Sequence, residues 1–253
     1  MHDLKGKSVL ITGASTGIGA AAARAFGSYG ANVAIHYNQS KEAAEAVAQD
    51  VRALGVNAIT VGADVRDTKA IDAAVAKVVD EFGKIDVLIN NAGSLVKRQP
   101  LESVTDELFD EVLHINARSV VAFTRAALPA LRANGGGSII NVTSVAARHG
   151  GGPGALLYGA AKGFVSTITK GMAKELMADK IRVNGVAPGV IQTPFQDRFT
   201  TPDQLEAFRK SIPMGYIGEP EDCNGAFLYL ASETMSRYVT GQIIDVNGGQ
   251  LMP

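Results

Sequence analysis

The chain has 253 residues, 46% hydrophobic and 19% charged, a balance that supports a large buried core and excludes a disordered chain. Lys plus Arg number 24 against 25 for Asp plus Glu, so a net charge near −1 gives no electrostatic case for nucleic acid or an anionic membrane. A small-molecule partner is the default, and no apolar run reaches the roughly 20 residues that a bilayer span requires.

The opening MHDLKGKSVLITG has neither the apolar stretch nor the small-residue cleavage site of a secretory signal, so the cytoplasm is the expected location. Short β-branched runs at Ser8–Thr12, Val33–Ile35, Ala58–Val61, Val87–Ile89, Ser138–Val142, Ile181–Val186 and Ile243–Val246 predict seven buried strands. Between them lie Ala-, Glu-, Lys- and Leu-rich segments with helical spacing, among them Ser40–Leu54, Thr68–Phe82 and Pro220–Ser232. The alternation predicts an α/β fold of the Rossmann type, a doubly wound seven-stranded parallel sheet with helices on both faces, in one domain spanning 1–253. Gly189–Gly218 breaks this rhythm with Pro194, Pro202 and Pro213, and predicts an irregular substrate lid. The single cysteine, Cys223, has no neighbouring His or Cys, so core packing is expected of it and no metal site is predicted.

Directly after the first strand comes Thr12-Gly13-Ala14-Ser15-Thr16-Gly17-Ile18-Gly19, followed by the helical AAAARAF. Gly13 and Gly17 permit backbone angles and close approach that a Cβ forbids, Gly19 permits tight packing of the helix on the sheet, and the helix start presents N–H groups to a pyrophosphate. Strand, glycine turn and helix in this order predict a dinucleotide site formed by Gly13, Ser15, Thr16, Gly17, Ile18 and Gly19.

A carboxylate about 20 residues past the glycines would bind the adenosine ribose and favour NAD. The second strand instead ends His36-Tyr37-Asn38-Gln39-Ser40-Lys41, where a 2′-phosphate meets no like charge and where His36, Asn38, Ser40 and Lys41 offer it donors. NADP is therefore favoured over NAD, although no arginine supplies a strong phosphate clamp there. Asp64-Val65 and Asn90-Asn91-Ala92-Gly93 also follow strands and fall on the cofactor side. Asp64 has two open readings, an acceptor for an adenine amino group or the N-cap of the helix at Thr68.

Tyr158 and Lys162, four apart, share one helix face. A phenol is a weak base at neutral pH, and an adjacent ammonium eases its proton exchange. Ser144, two residues beyond the fifth strand, falls at the same sheet edge and can hold a substrate carbonyl. Asn116, expected on a long helix, either positions a water beside Lys162 or is a packing group.

TGASTGIG, NNAG, the serine after a strand, YGAAK and the late PGVIQTP, in order between Ser8 and Gly249, resemble the single-domain branch of the short-chain dehydrogenase/reductase family. The resemblance implies a catalytic tetrad of Asn116, Ser144, Tyr158 and Lys162, with Lys162 also holding the nicotinamide ribose. It implies that Pro188, Gly189, Ile191 and Thr193 hold the nicotinamide, and that subunits form homotetramers through helices and the C-terminal strand. One departure stands out: Ser144 and Tyr158 are 14 apart, whereas about 13 is usual, and the extra residue falls in Gly150-Gly151-Gly152.

The expected activity is ketone–alcohol interconversion on a 3-oxoacyl thioester, a sugar- or polyol-like compound or another medium-sized carbonyl. Ser94, Val96, His149, Leu156, Leu157, Gln192, Phe195 and Phe199 are the expected pocket. Lys97, Arg98, Arg125, Arg132 and Arg148 read as dispersed surface charge rather than as a patch for an acidic carrier protein. The alternative is a dinucleotide-binding sensor that kept the fold and lost the chemistry.

Overall fold

A computed structural model describes residues 1–252. In chain order, strand β1 (Ser8–Ile11) leads to helix α1 (Gly17–Ser28), then β2 (Asn32–Tyr37), α2 (Lys41–Ala53), β3 (Ala58–Gly62), α3 (Thr68–Phe82) and β4 (Val87–Asn90). The second half runs α4 (Asp106–Leu113), α5 (Ser119–Ala133), β5 (Gly137–Val142), α6 (Ala146–His149), α7 (Leu156–Glu175) and β6 (Ile181–Pro188). It ends with α8 (Pro194–Phe199), α9 (Pro202–Ser211), α10 (Asn224–Ala231), α11 (Glu233–Ser236) and β7 (Ile243–Val246).

The strands form one parallel sheet in the order β3-β2-β1-β4-β5-β6-β7. Alternation along each strand explains why the runs are apolar throughout rather than every second residue. Val9, Ile11, Val33, Ile35, Val87, Ile89, Ile140 and Val142 pack on one side with Phe26, Val47 and Phe227 of α1, α2 and α10. Leu10, Ala34, Leu88, Ile139 and Val183 pack on the other with Val75, Phe123, Leu131 and Ala173 of α3, α5 and α7. Cys223 is fully buried in the first of these cores, where desolvation pushes its thiol up to about 12 and leaves it a packing group.

The connection order reverses between β1 and β4, so the crevice at the carboxyl ends of these strands is where a ligand fits an open α/β sheet. Beneath it, Asn90 donates to Asn141 (2.9 Å) and Thr124 (3.1 Å), and Asn141 donates to Thr169 (2.9 Å), a buried polar ladder that fixes β4 and β5 to α5 and α7.

Two expectations change. The segment 189–218 is not irregular. It carries α8 and α9, the latter closed by a capping box in which Thr201 accepts from Gln204 N–H and the Gln204 side chain accepts from Thr201 N–H, and Ile191 bridges to Gly218. Asn116 lies in a π-helical turn, His114–Arg118, inserted between α4 and α5 rather than in one regular helix. Such turns recur at functional sites because the extra residue redirects a side chain.

Candidate active site

The glycine turn is shaped by contacts that only glycine permits. Gly13 and Gly17 have φ of +62° and +54°, and a Cβ on Gly13 would come within 2.9 Å of Ala92 Cα. At Gly19 a Cβ would lie 2.5 Å from the Gly13 carbonyl and 2.6 Å from the Asn91 amide, so this glycine packs on the turn itself rather than on the sheet face. Asn91 Nδ2 donates to the carbonyls of Thr12 (2.9 Å) and Gly13 (3.0 Å), and the Thr12 hydroxyl accepts from the N–H groups of Asn91 and Ala92 (2.9 Å each). Thr12, which the motif alone does not single out, thus ties the loop after β1 to the loop after β4. Thr16 caps α1 with no side-chain hydrogen bond and the first turn holds no acidic residue, leaving N–H groups and a positive dipole end for an anion.

His36 is corrected as a phosphate ligand. Gly13 N–H donates to its Nδ1 (3.0 Å) and its Nε2 lies 3.0 Å from the Ala63 carbonyl, so both ring nitrogens are spent on backbone. Burial lowers its pKa to about 4, which keeps the ring neutral and Nδ1 an acceptor. The Tyr37 hydroxyl packs against Gly62, and Tyr37 is absent from the cleft wall. Asn38, Gln39 and Ser40 do line the cleft and are exposed, and the Ser40 hydroxyl makes no capping bond. Asp64 is not the cap of α3, because Asp67 accepts from the N–H of Lys69 (2.9 Å) and Ala70 (3.3 Å). Asp64 instead pairs with Arg66 (2.6 Å), which also reaches Glu111 (3.1 Å). Arg66, which follows β3, therefore lines the same part of the cleft as Asn38, Gln39 and Ser40, with its guanidinium paired to Asp64 and Glu111.

The cleft, about 940 Å³, runs from the glycine turn past Asp64 and Val65 to Asn91, Ala92 and Gly93, and on to Ser144, Tyr158 and Lys162. Pro188, Gly189, Ile191 and Thr193 form its far wall. Tyr158 and Lys162 project from α7, and the Lys162 Nζ sits 5.7 Å from the Tyr158 ring centroid and donates to the Val142 carbonyl (2.8 Å). The Tyr158 side chain is only half-buried, yet protein atoms crowd its hydroxyl. Burial pushes the phenol up to about 12, with a hydrogen bond to Ser144 opposing the rise. Burial lowers Lys162 to about 8, and among the described residues no carboxylate pairs with it.

Asn116 is fully buried behind the wall rather than in it. Its Oδ1 accepts from Ser94 N–H (3.0 Å), and its Nδ2 donates to the carbonyls of Ser94 (2.7 Å) and Val112 (2.9 Å). The side-chain amide thus grips the segment after Gly93 through backbone bonds, as a packing group does. A Cβ on Gly93 would meet Asn116 Oδ1 at 2.9 Å and Lys162 Nζ at 3.2 Å, so this glycine lets the two converge.

Of the expected pocket, Ser94, Val96, His149, Phe195 and Phe199 line the cleft, while Leu156, Leu157 and Gln192 do not. Tyr158, Phe195 and Phe199 pack in a row, tilted and then edge-on, at 5.6 and 4.9 Å between ring centroids. Arg98, Phe208 and Gln250 line it as well, with no motif to announce them.

A doubly wound sheet with a glycine turn at its switch point and a Ser–Tyr–Lys centre opposite defines a dinucleotide-type oxidoreductase. Known proteins agree. The family model described as enoyl-(acyl carrier protein) reductase matches residues 13–250. The chain is 38% identical to the 3-oxoacyl-[acyl-carrier-protein] reductase FabG of Staphylococcus aureus (strain Mu50 / ATCC 700699), over 97% of this chain and 98% of that one. Among solved structures it resembles the NADH-dependent reductase A1-R′ responsible for alginate metabolism (TM-score 0.92, 39% identity, 100% of both chains). It also resembles 3-ketoacyl-(acyl-carrier-protein) reductase from Brucella melitensis complexed with NADH (TM-score 0.89, 38% identity, 98% and 99% covered). The chain belongs to the short-chain dehydrogenase/reductase family and is an oxidoreductase of that family. Among the described residues no helix is long and apolar enough to cross a membrane, and no group of His, Cys, Asp or Glu is placed to hold a metal ion.

Proposed function

We propose that the protein interconverts a ketone and a secondary alcohol, with Tyr158 exchanging the proton on the substrate oxygen. The observation that carries this reading is the convergence of Ser144, Tyr158 and Lys162 on one cleft with the glycine turn. The residues fit a nicotinamide dinucleotide: two glycines whose Cβ positions are filled by neighbours, uncapped N–H groups at α1, and a buried lysine without an ionic partner. When bound, the dinucleotide supplies or accepts the hydride.

The chain's own residues handle the oxygen. The Ser144 hydroxyl donates to the carbonyl oxygen, and Tyr158, protonated at neutral pH because burial holds it near 12, gives its proton to the same atom. The Lys162 ammonium stabilises the phenolate left behind, and solvent returns the proton. Oxidation of an alcohol runs the same transfers backwards.

Two similar structures are described as NADH-dependent or NADH-bound, which supports NAD as a cofactor of this chain. NADP is the form we favour, because no carboxylate ends β2 and the exposed Asn38 and Ser40 offer donors to a 2′-phosphate. The names of the relatives support either a 3-oxoacyl thioester or a sugar-derived carbonyl as substrate. Segment 189–218 serves as the lid, its Phe195 packed at a tilt against Tyr158 and its Phe199 edge-on against Phe195. Exposed Phe109 on α4 and Phe164 on α7 support association of subunits through these helices into a homotetramer.

The test is absorbance-monitored turnover of a carbonyl panel with NADH and NADPH, comparing the wild type with Tyr158→Phe. The variant loses roughly 10²- to 10⁴-fold in kcat while cofactor affinity is unchanged. Turnover that survives Tyr158→Phe overturns the assignment.

A further inference from the structure

Among the described residues at the substrate end of the cleft, Arg98 is a partly buried charged group tied into two of its walls. Its Nε donates to the Phe199 carbonyl of the lid (2.7 Å) and its Nη1 to the Pro153 carbonyl of the loop before α7 (3.0 Å). Desolvation lowers its pKa, no carboxylate among the described residues compensates it, and a guanidinium remains charged regardless. A guanidinium has five N–H donors, so three remain unspent, two of them on Nη2.

The surroundings are built around this side chain. Val96, a β-branched residue, is held at a φ of +63°, and Ser94 Oγ accepts its N–H (3.0 Å), so strain is stored two residues from Arg98. The same Ser94 is the residue gripped by Asn116. Opposite, the glycines before α7 let Arg98 lie close: a Cβ on Gly152 would sit 3.9 Å from Arg98 Nη1, and one on Gly154 would press on Arg98 Cβ at 3.0 Å. The cleft's charges are also unevenly distributed. Its two carboxylates, Asp64 and Glu111, are both taken up by Arg66 at the adenosine end, while Arg98 and Arg198 face no acid among the lining residues.

From this placement we infer that Arg98 is a specificity residue that binds a carboxylate on the substrate, making the preferred substrate an oxo acid rather than a neutral ketone. The planar pair of unspent N–H groups matches a two-oxygen acceptor. Arg98 holds the carbonyl of Phe199, the last ring of the Tyr158–Phe195–Phe199 row, so the carboxylate sits at the far end of the substrate from the reacting carbonyl, along an apolar aromatic wall. Because the same guanidinium holds the Phe199 carbonyl, a bound carboxylate also fastens the lid.

This inference rests on the ketone–alcohol reading above, and two measurements separate their fates. The first compares kcat/KM for methyl ketones whose chain ends in a carboxylate with the methyl esters of the same acids, in the wild type, Arg98→Met and Arg98→Lys. The wild type favours the acid by about tenfold or more, the ratio falls towards one in Arg98→Met, and Arg98→Lys retains part of it. Taking the ratio within each protein cancels any general loss from a loosened lid, and the wild-type ratio needs no variant to fold. The second is calorimetric titration of the wild type and Arg98→Met with saturated fatty acids and their esters, which reads the contact without turnover. Acid binding that depends on Arg98 without turnover of any ketone sinks the oxidoreductase mechanism and leaves Arg98 as a carboxylate site. A wild type that does not distinguish acid from ester, or an Arg98→Met that loses both equally, overturns the inference.

Discussion

Asn116 and Ser94 hold each other by reciprocal hydrogen bonds, Ser94 N–H to Asn116 Oδ1 at 3.0 Å and Asn116 Nδ2 to the Ser94 carbonyl at 2.7 Å. This pairing mimics one rung of a β-ladder, with a side chain in place of a strand. It converts the π-helical turn into a clamp on the cleft wall. Asn116→Ala leaves the Ser94 N–H and C=O unpaired near the interior, at a cost of about 2 kcal/mol. The expected outcome is a fall of several degrees in Tm and a larger rise in substrate KM than in cofactor Kd, measured by calorimetry and steady-state kinetics. A cofactor-only defect would place the effect elsewhere.

The His36 ring supports the glycine turn rather than reading the adenosine phosphate. Replacing it by leucine removes the acceptor for Gly13 N–H and weakens NADH and NADPH alike, while asparagine, which keeps an acceptor, retains most of the affinity. Fluorescence titration with both cofactors checks this; a loss confined to NADPH would restore the phosphate role. There is also a pH signature. The native ring, lowered to about 4, refuses a proton that the unfolded chain takes up below about 6.5. Its contribution is complete above 6.5 and is lost as pH falls towards 4, by about 3 kcal/mol in total.

Lys162 titrates near 8 because of burial. As pH rises through that value the ammonium is lost and with it the stabilisation of the Tyr158 phenolate, so kcat for ketone reduction declines above about pH 8. Lys162→Met lacks this limb and runs roughly 10²-fold slower at neutral pH. A pH–rate profile of the variant that keeps the limb would assign it to another group.

At the opposite end of the sheet, Asp86 is buried between Lys7 and Lys84, each 3.0 Å away, and accepts from Ser8 N–H (2.8 Å) and Asn134 Nδ2 (2.9 Å). Burial raises its pKa, but the Ser8, Lys84, Asn134 and Lys7 contacts together outweigh it and the net shift is downward. The stabilisation is therefore present above the unfolded carboxyl's pKa, near 4, and is lost as pH falls below it. Asp86→Asn destabilises the protein by about 3 kcal/mol at pH 7 and flattens the acid limb of Tm against pH, with kcat unaltered.

The sheet was legible because both its faces are covered: strands buried on two sides are apolar at every position, and the helices between them keep the 3.6 period. The motif residues were legible because glycine turns and strand ends have fixed places in such a sheet. What escaped has physical causes. Whether the His36 ring turns inward or outward depends on the Gly13 N–H, which no spacing encodes. The π-helical turn has no compositional mark. Arg98 looks like any surface cation until the absence of a partner is seen. The lid helices did carry a signal, Thr201-Pro202-Asp203-Gln204, a capping box with proline at the first helical position, and the other prolines of the segment obscured it.

The switch point between β1 and β4 divides the labour of the chain in sequence as well as in space. Most of the cleft wall around the glycine turn is laid down before Gly93, whereas Ser94–Arg98, Val145–Ala155 and the α8–α9 segment, which line its other end, are three separate connections after it. Each begins at the end of a strand whose position is fixed by the polar ladder beneath or by pairing with its neighbours. Substrate preference can thus be exchanged by loop grafting in three places, as a tool is changed on an unaltered handle. A graft that keeps Thr12, Asn91 and Asn116 keeps the handle.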